Sequence, residues 1–128
     1  MTQRILVFGA SGQVARELAR ARPPAGYEIV CRGRREVDIT DPAGVDAAVD
    51  AIAPCAIINA AAYTAVDAAE DASDAAFAVN ATAAGDVARA AARRSVPLLH
   101  ISTDYGFDGQ ADGAYTPAAP GSPLGVYG

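Results

Sequence analysis

The chain has 128 residues, 52% of them apolar, and a formal net charge of −5. That length suits one α/β domain with a single buried core, and the acidic balance argues against nucleic acid and anionic membrane surfaces as partners, since both need clustered cations. No apolar run reaches membrane-spanning length and no segment is built like a signal peptide, so the expectation is a soluble, cytoplasmic protein. Cys31 and Cys55 are too few for a disulfide framework or a metal site and read as small buried hydrophobes. All ten cationic residues are arginine; the chain contains no lysine.

Taken in order, Arg4–Phe8 is a predicted strand and Ser11–Arg22 a predicted helix, stopped by Pro23 and Pro24. A second strand covers Tyr27–Cys31, followed by a polar stretch that leads to Val37-Asp38-Ile39. Thr40-Asp41-Pro42 starts a second helix, because the missing N–H of proline costs nothing in a first turn. This helix runs to about Ala53, where Pro54 ends it. Ala56–Asn59 is a third strand. Ala65–Arg94 is a long alanine-rich helical stretch with an expected break near Asp71-Ala72-Ser73. Pro97–Ser102 is a fourth strand, holding the lone His100 in a structural role. Gln110–Ser122 is an irregular loop, and a loop of that length is more often functional than idle. Alternating strands and helices predict a Rossmann-type, doubly wound parallel sheet.

The chemistry begins at the first strand-to-helix turn, Gly9-Ala10-Ser11-Gly12-Gln13-Val14-Ala15. Gly9 permits the tight turn out of the strand, Gly12 lets a phosphate approach the backbone, and Ala15 is small enough for the helix to pack on the strand. The helix then directs its free N–H groups at an anion. The bland reading is a plain glycine-bearing turn. At the end of the second strand no acid follows Cys31. Instead Arg32, Arg34 and Arg35 stand where an arginine accommodates the 2′-phosphate of NADP, or where a solvated basic loop would lie. Thr103 emerges from the carboxyl end of the fourth strand, where ligands bind in open α/β sheets; Thr103-Asp104 also suits a simple turn.

Four motifs occur in sequence order: Gly9-x-x-Gly12-Gln13-Val14; Asn59-Ala60-Ala61-Ala62-Tyr63-Thr64-Ala65-Val66-Asp67-x-x-Glu70; Ser102-Thr103-Asp104-Tyr105-x-Phe107-Asp108-Gly109; and Pro123-Leu124-x-Val126-Tyr127-Gly128. Together they resemble the dTDP-4-dehydrorhamnose reductase family of extended short-chain dehydrogenases, from Arg4 to Gly128. The resemblance implies NADPH- or NADH-dependent reduction of the 4-keto group of a dTDP-linked deoxyhexose to dTDP-L-rhamnose, a cell-wall polysaccharide precursor, and the arginines after Cys31 favour NADPH. It places Gly9, Gly12, Gln13 and Val14 on the cofactor pyrophosphate and Asp38 and Ile39 beside the adenine. Ala60, Ala61, Ala62 and Tyr63 then line the ribose and nicotinamide side. Thr103 orients the keto oxygen, and Tyr127 is the proton donor of the family's Tyr-x-x-x-Lys pair.

The sequence also departs from that family. The lysine falls beyond Gly128, and members continue for about as much again with a lobe that grips the nucleotide sugar. The expectation is therefore the N-terminal, dinucleotide-binding portion of such an enzyme, inactive by itself, with a homodimer as the candidate assembly of the longer protein. Ala15 for glycine, Gly106, Gly125 and Pro117 are smaller departures that bear on loop geometry. Tyr127 on its own reads equally as an aromatic at a frayed end, and Asp67 with Glu70 as a solvated acidic face. The rival functions are another extended short-chain epimerase or reductase and a non-catalytic dinucleotide-binding regulatory subunit.

Overall fold

Leu6, Val7 and Phe8 are fully buried in β1 (Gln3–Phe8), and their alternation around the strand divides the molecule into two faces. The computed structural model describes residues 1–128. Leu6 and Phe8 join Ile57 of β3 (Ala56–Asn59) in one apolar cluster. Two helices cover that face. From α2 (Pro42–Ile52) come Val45, Val49 and Ile52, and from α5 (Ala83–Arg93) come Val87, Ala83, Ala90 and Ala91. The alanines let α5 approach the sheet closely while the valines and isoleucines supply most of the apolar area. Val7 points the opposite way, toward the face on which α1 (Gln13–Arg20) buries Ala15.

The sheet is entirely parallel, in the order β2-β1-β3-β4, with β2 at Tyr27–Arg32 and β4 at Leu98–His100. Val7 aligns with Ile58 and Ile58 with Leu99. This row is covered near α1 and bare at the edge strand, where Leu99 is 58% exposed.

Several expected boundaries shift for physical reasons. The first helix begins at Gln13 rather than Ser11, because the Gly12 amide closes a tight turn onto the Gly9 carbonyl and Gly12 itself is extended. It ends at Arg20 rather than Arg22, since Pro23 pushes the preceding residue out of the helical region. β2 gains Arg32, whose carbonyl accepts the Gly9 amide. β4 is shorter than Pro97–Ser102: Pro97 has no N–H to give, and β3 stops at Asn59. One bond onward, Ile101 N–H to Asn59 carbonyl at 3.1 Å, is the last of the ladder.

The alanine-rich stretch does break at Ala72 (φ −127°, ψ 45°), between α3 (Val66–Asp71) and α4 (Ser73–Phe77). A second irregularity, a π-helical turn over Ala78–Thr82, interrupts it again before α5. Cys31 and Cys55 are free, and the expected burial is corrected to partial burial. The Cys31 thiol lies 3.7 Å from the Ala15 carbonyl, and burial pushes its pKa up against the opposing pull of Arg32.

Gly9 shows why its position admits no side chain. Its φ is +100°, and a Cβ there would lie 2.7 Å from the Ala61 nitrogen and 2.8 Å from the Ala60 carbonyl oxygen. Backbone strain of about 1–2 kcal/mol and overpacking of about 1–3 kcal/mol act together. Gly9→Ala is therefore expected to lower unfolding free energy by about 2–5 kcal/mol in denaturant titration. Gly12→Ala, whose Cβ meets the Gly9 oxygen at 3.3 Å and the Ala60 oxygen at 3.9 Å, serves as the mild control, and equal stabilities for the two variants would refute this account.

Candidate active site

β1 and β3 are neighbours in the sheet, yet the chain leaves β1 to cross to β2 and arrives at β3 from α2. The carboxyl ends of two such strands part at a crevice, the place where open α/β sheets hold ligands. Two cavities open there, of about 830 and 430 Å³. They share Ser11, Gly12, Ala60, Ala61, Ala62 and Thr64, so the two loops at the crevice form a common wall.

The larger cavity brings together Gly12, Gln13 and Val14 from the first turn, Ala60–Ala62 from the loop after β3, Thr103 after β4, and Tyr127. The smaller one gathers Gly9, Arg34, Asp38, Ile39 and Tyr63. Tyr63 therefore faces the Asp38 side rather than the large cleft. Arg32 and Arg35 line neither cavity; Arg32 donates to the Cys31 carbonyl at 3.0 Å. Of the three arginines, Arg34 alone stands at a cavity rim, with its Nε 3.4 Å from Asp38. The side-chain and backbone hydrogen bonds from Thr40 hold the Asp38 carboxyl below its ordinary value, with Arg34 adding a smaller pull. The Gln110–Ser122 loop lines neither cavity. It is pinned instead by Tyr115, which stacks on Phe107 at 4.4 Å and donates to Asp108 at 2.8 Å.

The first turn of α1 has no side-chain cap at Gly12. The early N–H groups of a helix have no partner within it, and here they adjoin the large cleft. A Cβ on Gly12 would project toward Gly9 O and Ala60 O, into the narrow space between the loops. This is a cradle suited to a phosphate group.

Thr103 has both features foreseen for it. Its Oγ1 accepts the Tyr105 amide at 3.2 Å, so it starts the short 3₁₀ turn Asp104–Gly106, and it also lines the large cleft. Its proton is directed to Asp104 Oδ1 at 3.5 Å, a long contact that a better-placed acceptor in the cleft could replace. Tyr127 is not frayed: its ring meets Tyr105 edge-on, with centroids 5.4 Å apart at 74°. Asp67 and Glu70 are both exposed, as a solvated acidic face is, but Glu70 Oε1 also accepts the Val126 amide at 2.8 Å across 56 residues of chain.

Two asparagines escaped sequence reasoning. Asn59 is 1% exposed; it accepts the Ala61 amide through Oδ1 and contacts His100 Nδ1 at 3.3 Å. Asn80, in the π-helical turn, accepts the Tyr63 amide at 2.8 Å and donates to the Tyr63 carbonyl at 2.9 Å. A lone asparagine inside an alanine-rich helix was the available signal, since that side chain disfavours helix interiors unless it bonds elsewhere. His100 lies at the end of β4 and borders the large cleft.

Comparison with known proteins follows the same lines. Residues 3–128 match the family described as RmlD substrate binding domain. The dTDP-4-dehydrorhamnose reductase of Aggregatibacter actinomycetemcomitans is 43% identical over 98% of this chain and 43% of its own length. A dTDP-4-keto-6-deoxy-D-glucose reductase of Streptomyces niveus is 40% identical over the whole chain and 44% of its own length. The crystal structure of dTDP-4-dehydrorhamnose reductase from Bacillus anthracis in complex with NADP superposes with a TM-score of 0.95 at 36% identity, over 99% of this chain and 45% of that one. The chain thus spans less than half the length of the relatives it matches. With the match running from Gln3 to Gly128 and through every loop at the crevice, the chain belongs to the RmlD substrate binding domain family.

Proposed function

We propose that these residues form the dinucleotide-binding half of an NADPH-dependent reductase that acts on the 4-keto group of a dTDP-linked 6-deoxyhexose, yielding dTDP-L-rhamnose. The observation that carries this reading is the shared wall of the two cavities. It sets an uncapped helix N-terminus, an arginine-rimmed cavity, and the Thr103 and Tyr127 side chains along one continuous crevice. The B. anthracis relative, solved with NADP, supports the cofactor, and the curated relatives support the nucleotide-sugar substrate. A cytoplasmic place for the protein and a homodimeric assembly of the longer polypeptide belong to the same proposal.

In this reading the α1 amides beyond Gly12 and the side chains of Gln13 and Val14 receive the pyrophosphate. Asp38 and Ile39 flank the adenine, Arg34 meets the 2′-phosphate, and Ala60–Ala62 keep the loop thin enough for the ring system to lie against backbone. When bound, the dihydronicotinamide supplies the hydride for the keto carbon. Negative charge then develops on the keto oxygen, so an acid held at that oxygen lowers the barrier. Thr103 donates a hydrogen bond that orients the oxygen, and Tyr127 delivers the proton. A phenol has an ordinary pKa of about 10, which makes it a weak acid at neutral pH without a nearby cation. None of these residues is a lysine; Arg16 is the arginine that lines the large cleft with Tyr127.

Three measurements bear on the proposal. Gly12→Val should abolish NADPH binding in a folded protein, because the branched side chain fills the gap toward Gly9 and Ala60; undiminished affinity would place the phosphate elsewhere. Arg34→Ala should weaken NADPH by about 1.5–3 kcal/mol, the scale of a charge-assisted hydrogen bond. The same change should leave NADH nearly unaltered in parallel titrations, and an equal loss for both cofactors would remove Arg34 from the 2′-phosphate. In the full polypeptide containing residues 1–128, Tyr127→Phe should lower kcat for NADPH oxidation by about 10²–10⁴-fold with dTDP-4-dehydro-6-deoxy-L-lyxo-hexulose as substrate. A fully active Tyr127→Phe enzyme would refute the assigned proton donor.

A further inference from the structure

Glu70 lies in the last turn of α3, far from Tyr127 in sequence, but its carboxylate reaches the segment that carries Tyr127. Oε1 accepts the Val126 N–H at 2.8 Å, one peptide before Tyr127. The contact is tight on the neighbouring residue as well: a Cβ on Gly125 would stand 2.7 Å from the same oxygen. The segment has no helix or strand of its own to hold it. Beyond Tyr127, Gly128 packs so closely on the Tyr105 carbonyl that it too has no room for a side chain. The Tyr127 ring meets Tyr105 edge-on. Upstream, the Ser122 amide donates to the Gly106 carbonyl at 2.7 Å.

We propose that Glu70 is a positioning residue for Tyr127: its carboxylate fixes the Val126 amide, and a side chain at Gly125 would displace that carboxylate. The Tyr105 ring and backbone then fix the other side, so the phenol is held between two points. An ionised acceptor forms a shorter and stronger hydrogen bond with an amide than a neutral one. A single such bond matters here because the irregular segment offers the tyrosine few other restraints. The proposal deepens the reductase reading, in which Tyr127 is the proton donor, and it gives an exposed acidic residue of an alanine-rich stretch a defined partner.

The test uses the full polypeptide containing residues 1–128, with amide hydrogen exchange at Val126, NADPH titration and steady-state reduction measured on each variant. Glu70→Ala should expose the Val126 amide to exchange and lower kcat by about 10- to 100-fold, the scale of a small misplacement of a reacting group. It should leave the NADPH Kd nearly unchanged, since Glu70 itself lines neither cavity and its partner Val126 lines the large one at the Tyr127 end. Glu70→Gln retains an acceptor oxygen and should restore most of the protection and most of kcat. Gly125→Ala should reproduce the Glu70→Ala loss by pushing the carboxylate away, and combining it with Glu70→Ala should add little further. If Glu70→Ala does not fold, the Gln and Gly125 variants carry the comparison. The proposal is overturned if Val126 exchange is unchanged in Glu70→Ala, if exchange rises with no fall in kcat, or if kcat and NADPH affinity fall together. Full activity of Tyr127→Phe would instead remove the catalytic premise, an outcome read independently of Val126 exchange.

Discussion

Gly9 lies against the backbone of Ala60 and Ala61 where β1 and β3 diverge, and the geometry of the site depends on that approach. Two loops leave adjacent strands there, and neither carries a side chain large enough to keep them apart. The positive φ of Gly9 turns the first loop toward α1, and its amide is secured on the Arg32 carbonyl of β2. Asn59 secures the second loop from within the core: its side chain accepts the Ala61 amide while its own backbone extends the ladder to Ile101. Asn80 grips the far end of the same loop at Tyr63 from both sides. Backbone is thus presented on both walls of the crevice, which suits a flat, highly charged ligand better than a wall of side chains.

The core behind this crevice is built from small residues. α5 contributes Ala83, Ala90 and Ala91 around Val87, and α2 contributes Val45, Val49 and Ile52. Alanine allows a helix to lie close to a sheet but removes little apolar area from water, so β1 carries much of the burden with Leu6 and Phe8. The opposite face is unevenly covered, from a buried Val7 near α1 to Leu99 and Ile101, both largely open to solvent. Polar ties between elements supplement this core. Arg93 of α5 reaches Asp46 and Asp50 of α2, at 3.5 and 3.0 Å. These pairs are exposed and therefore contribute more to register than to stability.

The substrate end of the crevice relies on a different device. Thr103, Tyr105, Glu70 and Tyr127 come from three separated parts of the chain and meet through hydrogen bonds and an aromatic edge contact. Loops placed at the carboxyl ends of strands can vary in length and chemistry without disturbing the sheet. The cofactor end is held instead by the β1 turn and α1, where spacing in sequence and spacing in the structure coincide.

This difference explains how much could be read from the residues alone. The parallel α/β architecture, the break at Ala72 and the Gly9–Val14 turn are local: strand periodicity, proline and glycine punctuation, and a short spacing determine them before any tertiary contact forms. Helix and strand ends were less legible, because Gly12 is extended by its bond to Gly9 and β4 ends where its partner β3 ends. The π-helical turn at Ala78–Thr82 leaves little trace in a run of alanines, and it became visible only through what Asn80 binds. Arg32, Arg34 and Arg35 are equivalent as letters, and the turn after β2 brings Arg34, not the other two, to the crevice cavities. Glu70 is an exposed acid that nothing local distinguishes, since its partner Val126 lies 56 residues away. The sequence by itself determined which local turns and segments form, because those choices depend on the intrinsic preferences of neighbouring residues. Which side chains meet at the crevice was decided only by the tertiary structure, because contacts between distant residues exist only once the sheet order and loop paths have brought them together.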